Sequence, residues 1–353
     1  MKQGKLLIFL ALILLFVTPL EAGAIEQQYV TTVYSEQNGL PTGEANVVCQ
    51  TRDHYVWIGS YGGLVRYDGT TFRNYSQEGK IASASIRSIL EDREGRLWVG
   101  TNDSGLFLLE GDTFVSIPEQ GERQFLGIRD LVQSSDGVIY AASSSGLAYV
   151  EGGVLLPVED PMLSGQIVYT LGADKFGRVW AALNDWQCAV VQGNEKIDVV
   201  SFGDIFPEGQ QIYAVASDKD GNIYLGTYQN MVAKVQFKDE TWNKDNFELS
   251  FIETGDITIH NHLMVSYAGD VMVCGQVGFA LIEASGKLHT FGEDKSATAV
   301  NFAMIDYEDN IWLASSAHGV IKYTKGCFET PNQQAGLEGV SPVSYTHLRA
   351  HET

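Results

Sequence analysis

The residues best suited to chemistry lie in short polar turns. One turn reads Asn184-Asp185-Trp186-Gln187; others carry Tyr61, Asn102 with Asp103, Tyr228 with Gln229, and His318. An indole beside amides suits recognition of a polar ring, because the aromatic face stacks while the amides hydrogen-bond. A saccharide or a peptide fits that description. Catalysis needs positioned acid, base or nucleophilic groups. Asp103, Asp185 and His318 could supply them, but no spacing pairs them and no nucleophile motif occurs. Glu44, His260 and His262 add polar groups near the same turns. Two imidazoles are too few for a metal site, and the cysteines, Cys49, Cys188, Cys274 and Cys327, form no C-x-x-C pair. These residues predict a binding surface with no metal and no cofactor. As a turn residue, Trp186 is expected to tolerate replacement by Ala with little loss of stability.

The turns recur because the segments between them recur. An apolar residue, then Trp or Tyr, then small or apolar residues appear as Val56-Trp57-Ile58-Gly59, Leu97-Trp98-Val99-Gly100 and Ile223-Tyr224-Leu225-Gly226. Weaker copies centre on Tyr140, Trp180 and Trp312, and the poorest, at Met272, lacks the aromatic. Successive copies lie 41, 42, 40, 44, 48 and 40 residues apart. A period of roughly 40–45 residues with about four short strands per repeat predicts an all-β fold, a β-propeller of about seven four-stranded antiparallel blades. In the second repeat the strands read as Ile86 to Glu91, Arg96 to Thr101, Leu106 to Leu109 and Thr113 to Ile117, separated by Asp/Asn/Gly turns. An Asp before the second strand recurs at Asp53, Asp92, Asp136, Asp174, Asp218 and Asp306. The aromatic residues Trp57, Trp98, Tyr140, Trp180, Tyr224 and Trp312 are expected to pack between blades. Propeller geometry then puts the turns joining second and third strands on one face with the segments that cross between blades. An insertion near Lys238 to Asn246, carrying Trp242, reads as a longer outer hairpin. Asn332-Gln333-Gln334-Ala335-Gly336-Leu337 echoes Ser35-Glu36-Gln37-Asn38-Gly39-Leu40. It either begins another repeat or closes the ring against the N-terminal strand.

The two ends read differently from the repeats. Lys2 and Lys5, an apolar run from Leu6 to Val17, and Ala22-Gly23-Ala24 predict a signal peptide over residues 1–24. An uncleaved anchor is the alternative, although the run is short for a membrane span. Residues 25–343 then hold the propeller. Residues 344–353, Ser344 to Thr353, continue no repeat and resemble a translated sequencing adapter, an artefact beyond which the natural gene is expected to continue. The chain has 23 basic and 44 acidic residues, a net charge of −21. That balance repels phosphate backbones and argues against nucleic-acid partners.

Gly39-Leu40-Pro41, the run Asp92-x-x-Gly95-x-Leu97-Trp98-Val99-Gly100-Thr101, Gly105-Leu106, and Gly62-Gly63-Leu64-x-Arg66-Tyr67-Asp68 resemble the two-component-regulator propeller repeat. The resemblance runs roughly from Tyr29 to Val343 and is strongest in repeats one, two, five and seven. It implies an extracytoplasmic sensor propeller, truncated here. In the family such propellers are commonly followed by a further β-domain, a membrane helix, and a histidine kinase or diguanylate cyclase. The expected function is binding of a small polar ligand outside the cytoplasmic membrane, with no catalysis in the segment itself. Membrane contact is expected only through the missing C-terminal part or an uncleaved signal, and the intact protein could dimerise. The competing readings are a secreted lyase or hydrolase acting on polysaccharide, and a protein-binding scaffold.

Overall fold

A computed structural model describes residues 29–203, 212–237, 246–291 and 297–325. The expected signal segment and tail, the insertion up to residue 245, Cys327 and the Asn332–Leu337 echo lie outside the described residues. Thr31–Thr324 form one compact unit.

The unit is built of seven four-stranded antiparallel sheets. From inner to outer strand, blade I is Val47–Gln50, Val56–Ser60, Gly63–Tyr67 and Phe72–Asn74; blade II is Ile86–Glu91, Leu97–Thr101, Leu106–Glu110 and Thr113–Ser116. Blade III is Ile128–Gln133, Ile139–Ser143, Gly146–Glu151 and Val154–Pro157; blade IV is Leu171–Ala173, Arg178–Ala182, Gln187–Gln192 and Glu195–Ser201. Blade V is Ala214–Ser217, Ile223–Gly226, Met231–Phe237 and Phe247–Glu253; blade VI is His260–Val265, Val271–Gly275, Phe279–Ile282 and Leu288–Phe291. Blade VII takes Val300–Ile305, Ile311–Ser315 and Gly319–Lys325 from the end of the described chain and its outermost strand, Tyr29–Tyr34, from the beginning. Each inner strand packs on the next, and that of blade VII returns to blade I. The ring therefore closes at seven blades, and the N-terminal strand closes it. Among the described residues the helical structure is one three-residue 3-10 turn, Glu36–Asn38.

The repeat signature has a physical reason at each position. Trp57, Trp98, Tyr140, Trp180, Tyr224 and Trp312 are all buried in clusters formed by neighbouring blades. The small residue two places later makes room for the next inner strand. A Cβ on Gly100 would lie 2.5 Å from Ile128 Cγ2, and one on Gly59 would lie 2.5 Å from Ile86 Cγ2. The Asp of the first turn is a connector. Asp92 accepts hydrogen bonds from the Glu94 and Arg96 backbone N–H groups through Oδ1, and from Trp98 Nε1 and Arg96 Nε, both at 2.7 Å, through Oδ2. Asp306 holds Trp312 Nε1 at 2.7 Å, Asp174 holds Trp180 Nε1 at 3.3 Å, and Asp218 holds the Tyr224 hydroxyl at 3.0 Å. One buried carboxylate thus satisfies a turn and the polar tip of the core aromatic together.

Asp53 and Asp136 do not belong to that set. The position of Asp92, whose N–H closes the first turn, is held by Thr51 in blade I and Ser134 in blade III. Asp53 and Asp136 sit two residues later and accept from those hydroxyls. Cys49, Cys188 and Cys274 are free thiols within the sheets. Burial pushes the Cys49 thiol up to about 12, and it pushes those of Cys188 and Cys274 up as well.

Candidate functional site

The second-to-third turns and the crossing segments share one face because they hydrogen-bond to each other. Asn102 N–H donates to Ser85 O at 2.9 Å, Ser144 N–H to Gly127 O at 3.2 Å, and Ile259 N–H to Tyr228 O at 3.3 Å. This face is the mouth of the ring. Tyr61 and Tyr228 lie on it about half exposed, and Asn102, Asp103, Asn184 and Asp185 are exposed. Gln229 and His318 are half-buried. Asp103 is engaged by Ser83 Oγ at 2.7 Å, and His318 Nε2 lies 3.0 Å from Thr298 Oγ1.

Trp186 departs from the expectation. It is 2% exposed and packs among Trp180, Cys188, Val200 and Phe202. Its carbonyl accepts the Phe202 N–H at 2.9 Å, the bond that Leu64, Leu106 and Leu147 accept from Tyr75, Ile117 and Val158. Trp186 thus belongs to the core of its blade, two residues ahead of Cys188, which pairs with Ala182 as Leu147 pairs with Ala142 and Leu64 with Gly59. Asp185 and Trp186 both take the left-handed backbone of the turn, at φ +58° and +59°. The apolar alternation of Trp186, Cys188 and Val190, all buried in one cluster, was the signal for this.

His260 is a second correction. It belongs to the inner strand of blade VI and is fully buried. Thr227 N–H donates to its Nδ1 at 3.1 Å, which leaves Nε2–H to face Ile257 O at 3.1 Å. His262 stacks on Phe302 at 3.8 Å. A bulge between the two histidines breaks the period of two that would have put them on one face. Burial pushes His260 down to about 4 and His262 down to about 3, so both are neutral at pH 7.

The mouth also holds residues that the turns did not announce. The second residue of each inner-strand approach is Asn46, Arg87, Arg129, Tyr169, Tyr213, Asn261 or Asn301. At Arg87, Arg129, Asn261 and Asn301 the ladder register shifts. Arg87 Nη1 donates to the Tyr61 hydroxyl at 3.1 Å. Arg129 lies 5.7 Å from the Tyr169 ring centre, and the Tyr169 hydroxyl donates to Asn184 Oδ1 at 2.9 Å. Tyr61, Arg87, Arg129, Tyr169 and Asn184 therefore form one arc from blade I to blade IV. No hydrogen bond or ring contact among the described residues joins Tyr228, Gln229 or His318 to that arc. Burial and the neighbouring Arg87 charge push the Arg129 guanidinium down from its ordinary value. Stacking the repeats on their inner strands, rather than on their turns, would have exposed this ring of positions. A groove of about 520 Å³ elsewhere, lined by Leu40, Phe72, Arg73 and Glu78 among others, is a poorer candidate. Its Arg73 is already bridged to Glu78 at 2.6 Å and to Asp112 at 2.8 Å.

The two component regulator propeller family matches residues 80–103 and 207–229, which take in the first two strands of blades II and V. Two segments of the chain thus match the two component regulator propeller repeat. No curated protein sequence matches it. Among solved structures it is similar to the extracellular domain of a protein of B. thetaiotaomicron described as a hybrid two component system, with TM-score 0.70 and 16% identity over 92% of this chain and 45% of that one. A second B. thetaiotaomicron extracellular domain, described as from a one component system, has TM-score 0.66 and 16% identity over 89% and 42%. Virginiamycin B lyase from Staphylococcus aureus has TM-score 0.66 and 10% identity over 85% and 99%. At these identities the likeness establishes the seven-bladed fold. The chain spans less than half the length of the first of these structures.

Proposed function

We propose that this chain is the extracytoplasmic, ligand-sensing propeller of a membrane-bound signalling protein. The observation that carries this reading is the regulator propeller repeat itself, seen in the family match and in the Asp–Trp and Gly-Leu positions that recur among the blades. The mouth supports it. Its polar side chains are held by one another, as a preformed binding surface requires, while Asp103 and His318 are engaged separately by Ser83 and Thr298. The ligand is a small polar molecule, and the segment turns nothing over. Among the described residues no helix is long and apolar enough to cross a membrane. Transmission of the signal would fall to further parts of a longer protein, a membrane helix followed by a kinase or cyclase.

Two measurements test this. The natural coding sequence, read onward past the codon for Val343, should encode a membrane helix and an effector domain. A stop at that point would remove the signalling role. In a thermal-shift screen against saccharides and peptides, a stabilising ligand should be recovered intact. Steady conversion of that ligand would instead place the propeller among enzymes, with Asp103, Asp185 and His318 the first residues to replace.

A further inference from the structure

Three blades use the mouth position of the inner strand as a stitch. The side-chain amides of Asn46, Asn261 and Asn301 donate at 2.9 Å to the carbonyls of Ile86, Val300 and Ala45 on the neighbouring inner strand. Blades II and III place Arg87 and Arg129 there, and neither guanidinium makes that bond. Arg87 donates to Tyr61 alone. Arg129 meets the Tyr169 ring, and its buried Nε has no hydrogen-bond partner. Neither arginine is in an ion pair among the described residues, in a chain with 44 acidic residues and 23 basic ones. Arg96 and Arg178, by contrast, are bridged to carboxylates at 2.7 and 2.6 Å. The carboxylate next to Arg129 is turned away from it: Asp130 accepts from Thr170 Oγ1 at 2.9 Å and from Leu171 N–H at 2.8 Å.

Two neighbouring, partly buried like charges with no counter-charge cost stability. The contacts each arginine makes to a neighbouring blade, Arg87 to the Tyr61 hydroxyl and Arg129 to the Tyr169 ring, supply no counter-charge in return. Guanidinium groups present planar forks of donors that match carboxylate and sulfate oxygens. The geometry points to an anion site in the mouth between blades II and III, where Arg87 and Arg129 receive the carboxylate or sulfate of a small organic molecule. Hydroxyl groups of the same molecule face Tyr61, Tyr169 and Asn184. This deepens the sensor reading and rests on it, naming the class of ligand.

The test is calorimetry on the whole chain with glucuronate, glucose 6-sulfate, glucose and inorganic sulfate. Both acidic sugars bind, glucose does not, and inorganic sulfate competes with them. Arg87→Gln and Arg129→Gln each weaken the acidic sugars by about ten- to a hundred-fold, the loss of one charged hydrogen-bonding partner. Arg129→Lys retains part of the affinity. Without ligand, Arg129→Gln melts at or above the wild-type temperature, because a repulsion and an unpaired buried donor have been removed. Failure of both acidic sugars and of sulfate to bind the wild type would overturn the site. So would unchanged affinity in both Gln variants, or a melting point several degrees lower for Arg129→Gln, which would assign the arginine to the fold. Glucose binding as tightly as glucuronate would sink the anion class while leaving ligand sensing intact. Product formation would remove the sensor reading itself.

Discussion

At the scale of single residues, the polar connectors and one displaced tryptophan carry most of the explanation. Trp186 is buried among residues of blades IV and V, so its removal leaves a cavity there. Trp186→Ala should lower stability by about 3–5 kcal/mol, the cost of a large-to-small core change. Urea unfolding checks this; a loss under about 1 kcal/mol would mean the indole is not packed as described. The connector carboxylates carry a pH signature. Burial alone would raise Asp92, Asp218 and Asp306, but hydrogen bonds outweigh it and hold all three below the usual carboxylate range. The donors are the Trp98 indole and the Arg96 groups, Asn222 with the Tyr224 hydroxyl, and the Trp312 indole with Asn310. A carboxyl depressed in the folded state stabilises fully above its unfolded value and loses that contribution as pH falls through its folded value. The melting temperature should therefore begin to drop below about pH 4. The Asp92→Asn/Asp218→Asn/Asp306→Asn variant should melt lower at pH 7 and fall less between pH 4 and pH 2. Parallel curves for the two proteins would show that these carboxylates do not set the acid limit.

At the scale of elements, the closing strand is the joint on which the ring depends. Tyr34 stacks on Trp312 of blade VII at 5.7 Å and 8°, and meets Tyr67 and Phe72 of blade I at 5.3 and 5.7 Å. One side chain of the closing strand thus binds the first and last blades. Tyr34→Ala should cost about 2 kcal/mol, given the aromatic pairs it removes, and should bare the edge of Gly319–Lys325, which favours pairing with another chain. Size-exclusion chromatography with melting curves tests this; a monomer of unchanged melting temperature would show that closure does not rest on Tyr34. The blade count and strand order were legible in the sequence, because the Trp–Gly signature is imposed by local contacts such as Gly100 against Ile128. Closure was not, since Tyr29–Tyr34 pairs with residues nearly 300 positions away and nothing local marks its partner. Trp186 was misplaced for another reason: its polar neighbours made a core residue read as a surface one. Arg87 and Arg129 escaped notice because each is a single charge inside an apolar strand. A bulge that turns such a residue toward the mouth is visible only once the ladder register is known.

At the scale of the whole molecule, the charge of −21 and the two unpaired arginines act on an incoming anion with opposite sign. The arginines act at contact distance, inside a mouth partly withdrawn from water, where added salt screens them little. The acidic surplus acts at long range, and its reach depends on ionic strength: the screening length is about 30 Å at 0.01 M salt and about 8 Å at 0.15 M. At low salt an approaching glucuronate meets the field of the entire ring before it meets the pair. At higher salt only the last few ångströms count. The association rate of glucuronate should therefore rise as salt is added over that range, opposite to the fall seen when a net favourable field steers association. The dissociation rate should change less, because it reports the contact with Arg87 and Arg129. Stopped-flow mixing at several salt concentrations separates the two. An association rate that falls steeply with salt would mean that the acidic residues leave the mouth free and the arginine pair alone governs approach. In that case the surplus of acid would matter for the solubility of the ring and not for what the ring admits.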